Sequence, residues 1–211
     1  MIPFLKHFIS SPKTHPMLRA FEKKRCIFFH IPKTAGMAVS SAIFGDITWG
    51  HRDVSFYVNH FGKERFYSFY KFTVVRNPYD RLYSAYVFLK NGGINQHDTS
   101  FSRKYLSKYP TFDDFVRHGL NDKDVNRWVH FLPQHHFIKN KNGNIVVDFI
   151  AKKEQLETDF ETICRYLNVS VSLQTINQTG NKKDLSLTED VKSIIKTHYK
   201  EDFNLFYPDL F

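Results

Sequence analysis

Nineteen residues, Cys26 to Phe44 (CIFFHIPKTAGMAVSSAIF), constrain this chain more than any other stretch because they change character twice. Cys26 to Ile31 is a short apolar run suited to a buried strand, and Gly36 to Phe44 is a run of small and apolar residues suited to a packed helix. Pro32-Lys33-Thr34-Ala35-Gly36 joins them. A strand that turns directly into a helix leaves the first N–H groups of that helix unpaired, pointing one way with the positive end of the dipole. Such a junction is an anion site. Gly36 permits a close approach by a ligand, Lys33 adds a full charge and Thr34 a hydroxyl.

A second stretch repeats the plan. In Lys71 to Leu89 (KFTVVRNPYDRLYSAYVFL), Phe72 to Val75 is apolar and β-branched, Arg76-Asn77 closes the strand, and Pro78 stands at a first helical position. Leu82, Ala85, Tyr86 and Leu89 then recur at helical spacing. Arg76 offers a planar fork to a phosphate and Ser84 a short hydroxyl donor.

The nucleoside-triphosphate loop does not fit the first stretch. That pattern needs Gly, four residues, then Gly-Lys-Ser/Thr, whereas here the Lys precedes the Gly and follows Pro32. The stretch instead resembles the 5'-phosphosulfate loop of the sulfotransferases that use 3'-phosphoadenosine 5'-phosphosulfate (PAPS), in the carbohydrate-type, Golgi-like branch whose loop reads close to IPKTAGTS. Met37-Ala38 replaces Thr-Ser here, which leaves backbone donors in place of two hydroxyls. The resemblance implies that Lys33, Thr34, Ala35, Gly36, Met37 and Ala38 hold the 5'-phosphosulfate and that Arg76 and Ser84 grip the 3'-phosphate. The segment TINQTGNKKD, Thr175 to Asp184, is turn-rich and resembles the C-terminal cofactor loop of that family, with Thr179 and Lys182 or Lys183 as counterparts.

Transfer of a sulfuryl group to a hydroxyl needs a base, and a neutral imidazole suits that task near pH 7. Gly50-His51-Arg52-Asp53-Val54-Ser55 is similar to the Gly-His-x-x-Ser-like stretch of the heparan sulfate 2-O-sulfotransferases, with one extra residue, and this implies His51 as base. Their second His, two residues earlier, is Trp49 here. His60, Asp53 and Glu64 are the rival bases. His130, His135 and His136 fall within seven residues, but no Cys and no dependable carboxylate spacing accompanies them, so no metal is expected.

Elsewhere the sequence predicts scaffold. Asn91 to Lys108 reads as a polar loop, Thr111 with Asp114 as a capped helix start, Asp122 to Leu132 as a helix, and Ile145 to Ile150 as a buried parallel strand. Lys153 to Leu167 and Thr188 to Tyr199 read as helices, and the Phe-rich end from Phe203 packs back on the body. Residues 1–25, with six basic residues and three prolines, read as a solvated basic arm that could meet an acidic acceptor or a membrane surface, ahead of a sulfotransferase domain at 26–211.

With 211 residues and 42% hydrophobic content the chain supports one core. A formal charge of +9 favours anionic partners, here PAPS and a glycan with a free hydroxyl; no nucleic-acid module is recognisable. Cys26 and Cys164 read as reduced core thiols, and no window reaches eighteen apolar residues, so a cytoplasmic enzyme is expected ahead of a clipped luminal Golgi domain. Alternating strands and helices imply an α/β single domain with a mostly parallel central sheet, and the resemblance implies a P-loop, nucleotide-kinase-like sulfotransferase fold. Two other classes compete with a PAPS-dependent sulfotransferase: a nucleotide or sugar kinase, and a non-catalytic basic module that binds acidic polysaccharide.

Overall fold

The structure, a computed structural model, describes residues 15–47, 49–173 and 185–210. Its centre is one parallel sheet in the order β1 (Cys26–Phe29), β2 (Tyr70–Val75), β3 (Phe149–Lys152). Phe28 pairs with Phe72, and Thr73 with Ile150. All of β1 and all of β2 beyond Tyr70 are buried, the pattern of strands covered on both faces. Three parallel strands bring their C-terminal ends to one edge, where ligands bind in open sheets of this kind. The two stretches expected to bind anions both leave the sheet at that edge.

The chain enters through α1 (Pro16–Lys24), whose Met17, Leu18 and Phe21 are buried while Arg19 and Lys23 are exposed. Phe21 meets the rings of Phe44 and Tyr57 at 5.1 and 6.0 Å. Residues 16–24, read from the sequence as part of a solvated arm, thus belong to the core. Their basic residues share the outer face of an amphipathic helix, so charge alone misreads them. After β1 come α2 (Gly36–Phe44), α3 (Val54–Phe61) and α4 (Lys63–Ser68), and β2 feeds directly into α5 (Pro78–Lys90).

Three expected elements differ. Asn91 to Lys108 is largely helical: α6 (Gln96–Phe101), capped by the Asn95 side chain, runs into a π-helical turn, Ser102–Leu106. Its wider repeat buries Phe101, Ser102 and Leu106 together, a spacing that an α-helical search passes over. The capped helix at Thr111 is present as α7 (Phe112–His118). Beyond it, Asp122 to Leu132 is helical only through α8 (Lys123–Asn126). The carbonyls of His130 and Leu132 instead accept from the Arg81 guanidinium on α5, which draws this stretch into turns. After α9 (His135–Ile138), Ile145 bridges back to Lys139 around the Asn142-Gly143 turn, and β3 begins only at Phe149.

The C-terminal half closes the molecule with α10 (Leu156–Leu167), α11 (Glu189–His198) and α12 (Lys200–Phe206). Phe203, Phe206 and Tyr207 are buried as the sequence predicts. Among the described residues no helix is long and apolar enough to cross a membrane. Because Phe21 is wholly buried among rings, Phe21→Ala should cost about 3–5 kcal/mol of unfolding free energy, measured by urea denaturation. A loss under about 1 kcal/mol would return α1 to the solvent.

Candidate functional site

The loop between β1 and α2 is built for close backbone approach. Lys33 and Ala35 both take positive φ, 69° and 72°, and no side chain caps α2, so its first N–H groups stay free of side-chain partners. Thr34 is fully buried and its hydroxyl donates to the Ile31 carbonyl at 3.0 Å, closing the loop on itself. Gly36 has a steric reason: a Cβ there would run into the His30 ring. Met37 stands exposed at the helix start, and Ala38 donates its N–H to the Ala35 carbonyl at 3.1 Å.

Arg76 reaches this loop from the end of β2, its guanidinium donating to the Lys33 carbonyl at 3.3 Å. Its own backbone is clamped by the buried Gln134, which accepts from the Arg76 N–H at 2.9 Å and donates to its carbonyl at 2.8 Å. The fully buried Asp202 in turn accepts from the Gln134 N–H at 2.7 Å. Ser84 is half-buried on α5, between Arg81 and Phe88 at the spacing of one helix face. The Phe88 ring lies 4.0 Å from the Lys33 ammonium. Of the three residues expected to act together, Lys33 and Arg76 meet through the Lys33 carbonyl, and Ser84 lies on the α5 face that carries Phe88.

His51 joins them. It precedes α3, whose N-cap Asp53 accepts from the Phe56 N–H at 2.9 Å. The His51 Nδ1 is 2.7 Å from the His30 carbonyl. A carbonyl only accepts, so Nδ1 carries the proton and Nε2 keeps its lone pair. The rings of His30 and His51 meet edge to face at 4.5 Å, and the His130 ring lies 5.7 Å from that of His51 on another side. Of the rival bases, Asp53 is engaged as a helix cap, Glu64 is exposed, and the His60 ring packs on Phe56 and Phe61.

Electrostatics follow from burial among cations. Burial lowers His51 to about 4 against the pull of the His30 carbonyl, and Arg81, Lys33 and Arg52 push the same way. Burial and then His51 lower His30 to about 3. Burial, then Arg76, bring the Lys33 ammonium down to about 8, with Asp98 opposing. The site therefore combines neutral imidazoles, one with a fixed lone pair, and cations short of negative charge. It can take a proton from a hydroxyl and hold a polyanion.

Other expectations resolve differently. His135 is held by Asp202 at 2.8 Å and Glu201 at 2.9 Å, away from the His130 contact with His51. Among the described residues no three His, Cys, Asp or Glu side chains are grouped to hold a metal ion. Thr179, Lys182 and Lys183 lie outside the described residues. His30, Arg81, Gln134 and His130 were missed as site residues by sequence reasoning. A polar residue ending an apolar strand, His30 offered a faint signal; the other three work through main-chain or ring contacts that no motif records.

A family model described as "Sulfotransferase family" matches residues 17–208. Carbohydrate sulfotransferase 11 of Rattus norvegicus is 28% identical over 178 residues, which cover 71% of this chain and 48% of that protein. The chain thus spans about half the length of this curated relative. Among solved structures none matches.

The depressed histidines make the fold acid-sensitive. A folded pKa below the unfolded value of about 6.5 adds nothing against stability above that pH, and stability is lost as pH falls from there toward the folded values of about 4 and about 3. Unfolding free energy from urea titrations should be flat from pH 8 to 7 and drop by at least about 2 kcal/mol by pH 5. His51→Gln should lessen the drop, and an unchanged profile would contradict buried, neutral imidazoles.

Proposed function

The chain belongs to the sulfotransferase family, and on that premise we propose that it transfers the sulfuryl group of PAPS to a hydroxyl, in-line, with His51 as base. The observation that carries the reading is the contact between the His51 Nδ1 and the His30 carbonyl. It aims a bare imidazole nitrogen from the first residue after β1, three residues before Lys33, so the proposed base and anion site share one support.

The residues present fit the donor. The uncapped start of α2 and the positive-φ turns at Lys33 and Ala35 leave N–H groups for a phosphosulfate, while the missing Cβ of Gly36 admits the His30 ring rather than the ligand. Arg76 and Ser84 would grip the 3'-phosphate, and that second phosphate would separate PAPS from ATP. When bound, PAPS supplies an activated sulfuryl group on a phosphate leaving group. Lys33 and the α2 amides neutralise the charge that grows on the leaving oxygens, as in phosphoryl transfer. His51 Nε2 accepts the proton of the attacking hydroxyl as the new S–O bond forms. The positive charge required comes from side chains and a helix terminus, and the reading calls for no metal.

A carbohydrate is the proposed acceptor, supported by the net charge of +9 and by the printed name of the relative. Lys33→Ala and Arg76→Ala should each weaken binding of the product 3'-phosphoadenosine 5'-phosphate (PAP) by roughly 10- to 100-fold, the value of a charge-assisted hydrogen bond. His51→Ala should leave PAP affinity within about threefold and lower turnover by about 10²–10⁴-fold. Filter-binding with labelled PAP and sulfate-transfer assays on polysaccharide mixtures separate the two effects. Turnover retained in His51→Ala would move the base elsewhere.

A further inference from the structure

His130 enters the site from a different part of the chain, the turns after α8. Its side chain is 8% exposed, and its ring meets the His51 ring at 5.7 Å and the Phe88 ring at 5.1 Å. On that same Phe88 ring sits the Lys33 ammonium. His130 therefore touches both the proposed base and the ring that carries the Lys33 ammonium. Its main-chain carbonyl is tied to Arg81 at 3.3 Å, but its Nδ1 is sealed from solvent with no hydrogen-bond partner among the described residues.

That asymmetry assigns the tautomer. A buried N–H without an acceptor is rarer than a buried acceptor without a donor, so the sealed Nδ1 is the bare nitrogen. Nε2 then carries the hydrogen and is the nitrogen left for a ligand. Resting on the sulfuryl-transfer reading above, we propose that His130 is a further catalytic residue, donating its Nε2–H to a non-bridging sulfuryl oxygen during transfer between acceptor and donor. No bond to His130 forms or breaks: the acceptor proton passes to His51, the sulfuryl group passes to the acceptor oxygen, and PAP leaves.

Neutrality suits the position. A cation beside His51 would depress the base further, whereas burial, His51, Lys33, Arg81 and His30 all hold His130 uncharged. A neutral N–H aimed at developing charge in a dry site supplies stabilisation without that penalty. Among the described residues the side chain makes no hydrogen bond that maintains the fold, and Arg81 binds only the His130 main chain. Its removal can therefore be separated from misfolding.

The test compares His130→Phe, which fills the space, with His130→Gln, whose amide places an N–H near that of the imidazole. Three quantities are read: PAP release from PAPS with water or unsulfated polysaccharides as acceptor, PAP affinity, and thermal midpoint. His130→Phe should lower kcat about 10²-fold, with PAP affinity within about twofold and the midpoint close to wild type, and His130→Gln should recover at least about tenfold of the loss. The inference is overturned if His130→Phe keeps wild-type kcat, if PAP affinity falls as far as kcat, or if Gln is no better than Phe. Wild-type protein that neither binds PAP nor consumes PAPS would overturn the transfer reading and this inference with it; wild-type turnover unaffected by His130→Phe sinks His130 alone.

Discussion

The buried guanidinium of Arg81 is the interaction on which the site depends. It is 1% exposed and is satisfied by three main-chain carbonyls, donating to Pro32 at 3.1 Å, His130 at 3.3 Å and Leu132 at 2.8 Å. Hydrogen bonds from a charged donor are each worth roughly 1.5–3 kcal/mol, and an unmatched buried charge costs several. The three carbonyls are therefore held where the guanidinium can reach them. One belongs to the anion loop and two to the turns that carry His130. A helix that leaves the central strand thus fixes both walls of the site at once.

Around this support the chain places more positive charge than it neutralises locally. Lys33, Arg76 and Arg81 all have lowered pKa values, with burial the first cause in each case and like charge adding to it for Lys33 and Arg81. A bound polyanion would offset part of that charge. His51 is held down first by burial and then, against the His30 carbonyl, by Arg81, Lys33 and Arg52, so an anion bound beside those cations would raise its proton affinity. On the proposed reading, binding of the anion would ready the imidazole through the same charges.

Much of this plan was legible in the sequence, and the reasons for the exceptions are physical. The Cys26–Phe44 and Lys71–Leu89 stretches declare strand, turn and helix by local periodicity, and both elements form with boundaries within two residues of expectation. His51 was singled out only through a resemblance, because the contact of its Nδ1 with a carbonyl 21 residues earlier leaves no local pattern. Arg81 looks like any helical arginine, and its burial depends on carbonyls about 50 residues away in both directions. The same contacts explain why Asp122 to Leu132 does not continue as a helix. Residues 16–24 were misread because six basic residues in 1–25 outweighed an apolar face of three, Met17, Leu18 and Phe21.

The central claim is that Lys33, Arg76 and Ser84 together recognise a nucleotide with phosphates at both the 5' and 3' positions. Calorimetric titration of the full chain with PAP, using ADP as control and no metal in the buffer, tests it most directly. The account predicts micromolar or tighter binding of PAP, on the order of −8 kcal/mol, with ADP at least about tenfold weaker. Equal affinity for the two nucleotides would remove the 3'-phosphate site, and binding of neither would leave a basic domain that holds acidic polysaccharide without chemistry.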